Sequence, residues 1–186
     1  MTLTRLALAA AALSTLTVTA CATMQVNSFV ERGVDITRYR TYHWAPADAQ
    51  STGDPRLDNN TFFGERIQAQ VDKWLGDRGF EKINADGPDL VAHYHASVTQ
   101  EVNPNGLDEP YLNPCANDQT TCDPPEPYVF DAGTIVVDLV DARTKRLVWR
   151  GWAEGSIEGA IDDQAFMERR IDEAVARIME QLPRGL

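Results

Sequence analysis

Hydrophobic positions along the chain recur with two rhythms. From Leu90 onward, "LVAHYHASV" alternates, with Leu90, Ala92, Tyr94, Ala96 and Val98 on one side and Val91, His93, His95 and Ser97 on the other. A period of two predicts a strand. Phe63, Ile67, Val71, Trp74 and Leu75 recur at helical spacing, as do Met167, Ile171, Ala174, Val175, Ile178 and Leu182. Asp58, Asn59 or Asn60 offers a side-chain acceptor to the N–H groups at the start of the first helix, and Gly79 suits its end. The second helix follows Asp162 and Asp163 and stops at Pro183. These two carboxylates read as charge favouring the positive end of the helix dipole rather than as an acid–base pair.

Other segments read as strands. Met24–Gly33 places Val26, Ser28 and Val30 on one side. Ile36–Trp44 is rich in β-branched and aromatic residues, with Tyr39, Thr41 and His43 opposed to Arg40, Tyr42 and Trp44. Gly133–Val140, the polar turn Asp141–Arg146 and Leu147–Glu154 form the clearest hairpin. "APADAQSTGDPRL" between the second strand and the first helix reads as loop. Asn103–Pro127 holds six of the ten prolines and reads as an insert, at about residues 102–130, that interior strands or helices do not tolerate. The order strand, strand, helix, strand, strand, strand, helix predicts a two-layer α+β sandwich. Its sheet would be mainly antiparallel with about 4–5 strands, two helices would cover one face, and the other face would stay partly solvated.

Composition changes the picture in one respect. The 186 residues are 43% hydrophobic and 24% charged, which is ordinary for a globular chain, but the net charge is −11. Removing the first twenty residues, which contain Arg5 and no acid, makes the balance more negative still. Phosphate backbones repel such a surface, so nucleic-acid binding is excluded as an expectation, and attachment to anionic lipid through a basic patch is excluded with it.

The opening segment supplies a different route to a membrane. Met1–Arg5 carries one positive charge, and Leu6–Val18 is an apolar run too short for a bilayer core, which needs about 20 residues. A short basic start, a brief apolar stretch and small residues form an export signal. Val18-Thr19-Ala20-Cys21 resembles the lipobox of bacterial lipoproteins. That resemblance implies lipid (palmitate among its acyl chains) on the Cys21 thiol, cleavage before it and an acylated new amino terminus. Residues 1–20 would then be signal peptide, 21–25 the lipidated cysteine and a short tether, and 26–186 one α+β domain. Stable anchoring takes two or more acyl chains. Ala22, rather than Asp, implies by the same resemblance an outer-membrane lipoprotein that faces the periplasm.

Three cysteines leave one over in an exported protein, and lipid on Cys21 removes the odd one. Cys115 and Cys122, with six residues between them, then read as a local disulfide in an oxidising compartment. The alternatives are reduced thiols or a metal site, for which C-x6-C without a nearby His is poor zinc spacing.

The segments "YRTYHW", "GPDLVAHYHASV" and "GTIVVDLVDARTKRLVWRGWAEG", followed by an amphipathic helix ending in Pro, resemble the DUF4136 family of bacterial envelope lipoproteins over roughly Val26 to Pro183. The resemblance implies a fold and a location. It implies no chemistry, since the family is one of unknown function, and the Cys-containing insert departs from its compact form.

Candidate chemistry is sparse. His93 and His95 share a strand face, and His43 on another strand would complete three imidazoles, enough for an open zinc site if all three met. Trp149, Arg150, Gly151 and Trp152 alternate, so one Trp belongs to the core while Trp152 and Arg150 share the other face, where they would stack. No G-x-S-x-G, P-loop or G-x-G-x-x-G motif occurs. The expectation is a non-enzymatic protein without cofactor that works by protein–protein contact in the envelope, with Arg150, Trp152, His93 and His95 as the candidate partner surface. The alternative is a periplasmic small-molecule or metal-binding domain using the same face near His93 and His95.

Overall fold

The structure, a computed structural model, describes residues 24–46, 52–58, 60–84, 87–103 and 128–183. Cys21 with the segment read as an export signal, Cys115 with Cys122, and most of the Pro-rich insert lie outside the described residues. In chain order, Gln25–Val30 forms β1. Asp35 then starts a 3-10 turn over Ile36–Arg38, its carboxylate accepting from the Thr37 N–H at 2.9 Å and the Thr37 hydroxyl at 2.6 Å. Short polar side chains of this kind compete with the sheet ladder for backbone groups. The strand read over Ile36–Trp44 is thereby shortened to β2, Thr41–Trp44. One helical turn, α1 (Pro55–Asp58), stands inside the segment read as loop, and Asp54 accepts from the Arg56 N–H at its start.

The remaining elements are α2 (Thr61–Asp77), β3 (Glu81–Lys82), β4 (Leu90–Asn103), β5 (Tyr128–Asp141), β6 (Leu147–Ser156) and α3 (Gln164–Glu180). β5 begins at Tyr128, so residues 128–130, read as insert, belong to the sheet. Asp163 caps α3 as expected, accepting from the Phe166 N–H at 2.9 Å. Asn60 holds the capping position of α2 without a side-chain bond. Gly79, at φ +82°, turns the chain beyond α2 in the left-handed region that favours glycine.

The fold is α+β, but the sheet is mixed and has six strands in the order β1-β6-β5-β4-β2-β3. This corrects the expectation of a mainly antiparallel sheet of 4–5 strands. β1, β6, β5 and β4 pair antiparallel, whereas β2 lies parallel to both β4 and β3. The physical reason is α2. A helical crossover returns the chain to the same end of the sheet, so the strands after it run in the direction of the strand before it. β3 is too short to show any period.

α2 and α3 cover one sheet face. Phe63, Ile67, Val71 and Leu75 of α2 and Met167, Ile171, Val175 and Ile178 of α3 bury against Leu90, Ala92, Val137, Leu139, Trp149 and Ala153. Arg66 clamps α2 to α3, with Nε donating to Asp172 Oδ1 at 2.7 Å. Asp72 of α2 ties down the far edge of the sheet. It accepts from the Tyr42 hydroxyl at 2.8 Å, Trp44 Nε1 at 2.7 Å and Lys82 Nζ at 2.8 Å. Burial, followed by the bond to Asp72, raises the Tyr42 hydroxyl pKa. Among the described residues no helix is long and apolar enough to cross a membrane.

Candidate functional site

The sheet face opposite the helices is built in cross-strand rows. Register places His93, Asp138, Arg150 and Phe29 in one row across β4, β5, β6 and β1. His95, Val136, Trp152 and Asn27 form the next, and Ser97, Thr134, Glu154 and Gln25 the one after. All four candidate residues, His93, His95, Arg150 and Trp152, therefore share the open face and occupy two adjacent rows. The His93 and His95 rings are stacked, with centroids 6.5 Å apart and an angle of 14° between their planes.

Arg150 is held as a fork. Its Nε donates to Asp138 Oδ1 and its Nη2 to Asp138 Oδ2, each at 2.6 Å. Paired donors of this kind give geometric specificity as well as strength. The Asp138 side chain is only 7% exposed beneath a guanidinium side chain that is 45% exposed. The hydrogen bonds to Asp138 raise the Arg150 pKa. The cation–ring contacts among the described residues are Arg38–Tyr39, Arg78–Trp74 and Arg169–Phe166, so the expected stacking of Arg150 on Trp152 is replaced by the Asp138 fork. A carboxylate directly across the strand pair is the stronger partner for the cation. Trp152 remains partly exposed, while Trp149 is fully buried among the helices.

One further pair marks the face. A hydrogen bond donated by the Glu154 carboxyl to Glu101 raises the Glu154 pKa, with burial and the neighbouring negative charge adding to it. His43 stands beside Val91, a two-residue step along β4 from His93. The register thus offsets it from the histidine pair, and among the described residues no group of three or more His, Cys, Asp or Glu forms a metal-holding cluster. A groove of about 630 Å³ runs along the β4 edge beyond Trp44, with His93, His95, Tyr94 and Gln68 among its lining.

Alternation located two pairs, His93 with His95 and Arg150 with Trp152, each on one face of its own strand. It missed Asp138, Phe29 and the Glu101–Glu154 pair, because these depend on which strands are neighbours. One signal was present: Asp138 interrupts the apolar run "TIVVDLV", and a carboxylate inside a strand interior needs a partner.

Among solved structures, a PDZ domain protein from Parabacteroides distasonis ATCC 8503 matches with a TM-score of 0.54 at 17% identity. The match covers 88% of this chain and 37% of that one, so this chain spans well under half of that protein. Two PelC dodecamer structures from Paraburkholderia phytofirmans match with TM-scores of 0.47 and 0.45, at 12% and 10% identity, each covering 88% of this chain and 100% of the other. The first likeness shows a shared fold. No curated protein matches the chain. The family described as Domain of unknown function (DUF4136) matches residues 26–184, and the chain belongs to that family.

Proposed function

We propose that this protein is an outer-membrane lipoprotein, anchored through lipid on Cys21 and facing the periplasm, that works without catalysis by binding another envelope protein through its open sheet face. One observation carries the contact surface. Rows spanning β4, β5, β6 and β1 present a partly exposed Trp152, an exposed Phe29 and an Arg150 locked by a buried carboxylate, beside two stacked imidazoles. Aromatic residues and Arg are the residue types enriched at interface centres. A side chain already fixed in place loses less entropy on binding. Location is supported by the lipobox-like end of the apolar run and by a net charge of −11 that disfavours a purely electrostatic membrane contact.

The test pairs fractionation with charge reversal. The full chain is expected in the outer-membrane fraction with an acyl-mass increment at Cys21, and Cys21→Ser is expected to abolish both. Arg150→Glu should keep the membrane location and abolish recovery of the partner that wild type retains. A second reading, small-molecule binding, has the groove beside His93 and His95 in its favour. It is distinguished by thermal stabilisation with a ligand in the absence of any other protein.

A further inference from the structure

The outer edge of β1 is built differently from the opposite edge of the same sheet. At the far edge, β3 is only two residues long, Glu81–Lys82, both charged and exposed. Short length and charge are the usual protections of a sheet edge. β1 has neither. Its six residues, QVNSFV, include no charge and no proline, and five of the six are exposed. Phe29 is 44% exposed and Val30 37%. Among the described residues no strand pairs with the outer side of β1.

Register identifies which backbone groups face outward. The β1–β6 ladder pairs Gln25 with Glu154 through Val30 with Trp149, and it continues in the bond from the Glu31 N–H to the Val148 carbonyl at 3.0 Å. Hydrogen-bonded residues alternate along an antiparallel pair. Gln25, Asn27 and Phe29 therefore turn their N–H and C=O groups to β6, and Val26, Ser28 and Val30 turn theirs outward.

We infer that this edge pairs antiparallel with β1 of a second copy of the same chain, on a twofold axis through Ser28. A twofold normal to the sheet keeps the helices of both copies on one side, so opposed residues must share a face. Ser28 then faces Ser28 of the partner subunit, and Val26 faces Val30 of the partner subunit. This register satisfies every outward donor and acceptor of the three residues. On the helix side it joins two Val–Val pairs to the core row that contains Ala153. On the open side it sets Phe29 opposite Asn27 of the partner subunit, in the row that contains Trp152 of the partner subunit. The seam places no charge against like charge, although each copy carries a net −11. The self-complementarity of QVNSFV about Ser28 is the reason for choosing a second copy over another occupant.

The test uses the full chain in detergent. Sedimentation from about 1 to 100 µM reads the mass by mass action, and hydrogen exchange reads the individual amides. The expected result is a dimer in which the amides of Val26 and Ser28 exchange slowly, as those of Asn27 and Phe29 do. Ser28→Pro removes an outward N–H that the monomer does not use, at an edge position where proline is tolerated. Val30→Lys places a charge on the seam. Each is expected to weaken dimerisation by about tenfold or more while leaving the circular dichroism spectrum unchanged. If Ser28→Pro fails to fold, Val30→Lys decides. A wild-type monomer overturns the inference, and slow exchange at Ser28 in that monomer would assign the edge to another segment of the same chain. A dimer that tolerates Val30→Lys, or one with a fast-exchanging Ser28 amide, overturns it too.

Discussion

The indole of Trp149 lies directly over Gly151. A Cβ at position 151 would stand 2.5 Å from Trp149 Cη2 and 2.7 Å from Ile178 Cγ2, closer than packed atoms allow. Gly151 is thus the recess in β6 that lets both a buried Trp and helix α3 approach the sheet. Gly151→Ala is expected to destabilise the fold by about 1–3 kcal/mol in a denaturant titration. Gly76→Ala, where nothing lies within 4 Å of the added carbon, is expected to be neutral or to stabilise by up to about 1 kcal/mol, since Ala is the better helix former.

Lys145 adopts φ +59° at the tip of the β5–β6 hairpin, alone among the described non-glycine residues in the left-handed region. An L side chain there costs about 1–2 kcal/mol that glycine does not incur. Glycine loses part of that advantage through the greater freedom of the unfolded chain. Lys145→Gly is expected to raise stability by about 1 kcal/mol, read as a higher midpoint with an unchanged denaturant slope.

Asp141 makes the hairpin base sensitive to acid. Its carboxylate accepts from the Thr144 N–H at 2.7 Å, the Arg143 N–H at 3.0 Å and the Tyr39 hydroxyl at 3.0 Å. The bond from Thr144 leads in lowering its pKa to about 2, against burial. The folded pKa lies below the unfolded value, so the charged form stabilises the fold. That contribution is complete above about pH 4 and is lost as pH falls toward 2. Asp141→Asn is expected to cost about 2 kcal/mol at neutral pH, with the difference from wild type closing between about pH 4 and pH 2.

The Arg150–Asp138 fork predicts an asymmetry. Arg150→Ala leaves a buried carboxylate without its partner and is expected to cost about 2–3 kcal/mol. Replacing Arg150 and Asp138 together by uncharged residues of similar size is expected to restore much of that loss. Equilibrium unfolding of the single and double variants measures the difference.

Much of this architecture is legible from periodicity. The stripes Phe63–Leu75 and Met167–Ile178 are buried where a 3.6-residue repeat puts them, and the alternation along β4 assigned His93 and His95 to one face. What escaped depends on neighbours distant in sequence. The parallel pairing of β2 with β4 follows from how α2 packs, and strand spacing does not encode it. The Arg150–Asp138 fork needs the β5–β6 register, which the irregularity at Leu139/Val140 shifts. The Ile36–Arg38 turn overrides strand-favouring residues through a single carboxylate, Asp35.

The central claim is that the open sheet face binds another protein. Site-specific photo-cross-linking from position 95, on β4 and away from the β1 seam, tests it in the native envelope with the full chain. The expected result is a discrete adduct to one other envelope protein, lost on Arg150→Glu and absent when the probe stands at Glu180 near the end of α3. Equal, diffuse labelling from both positions, or an adduct from position 95 that survives Arg150→Glu unchanged, would contradict it.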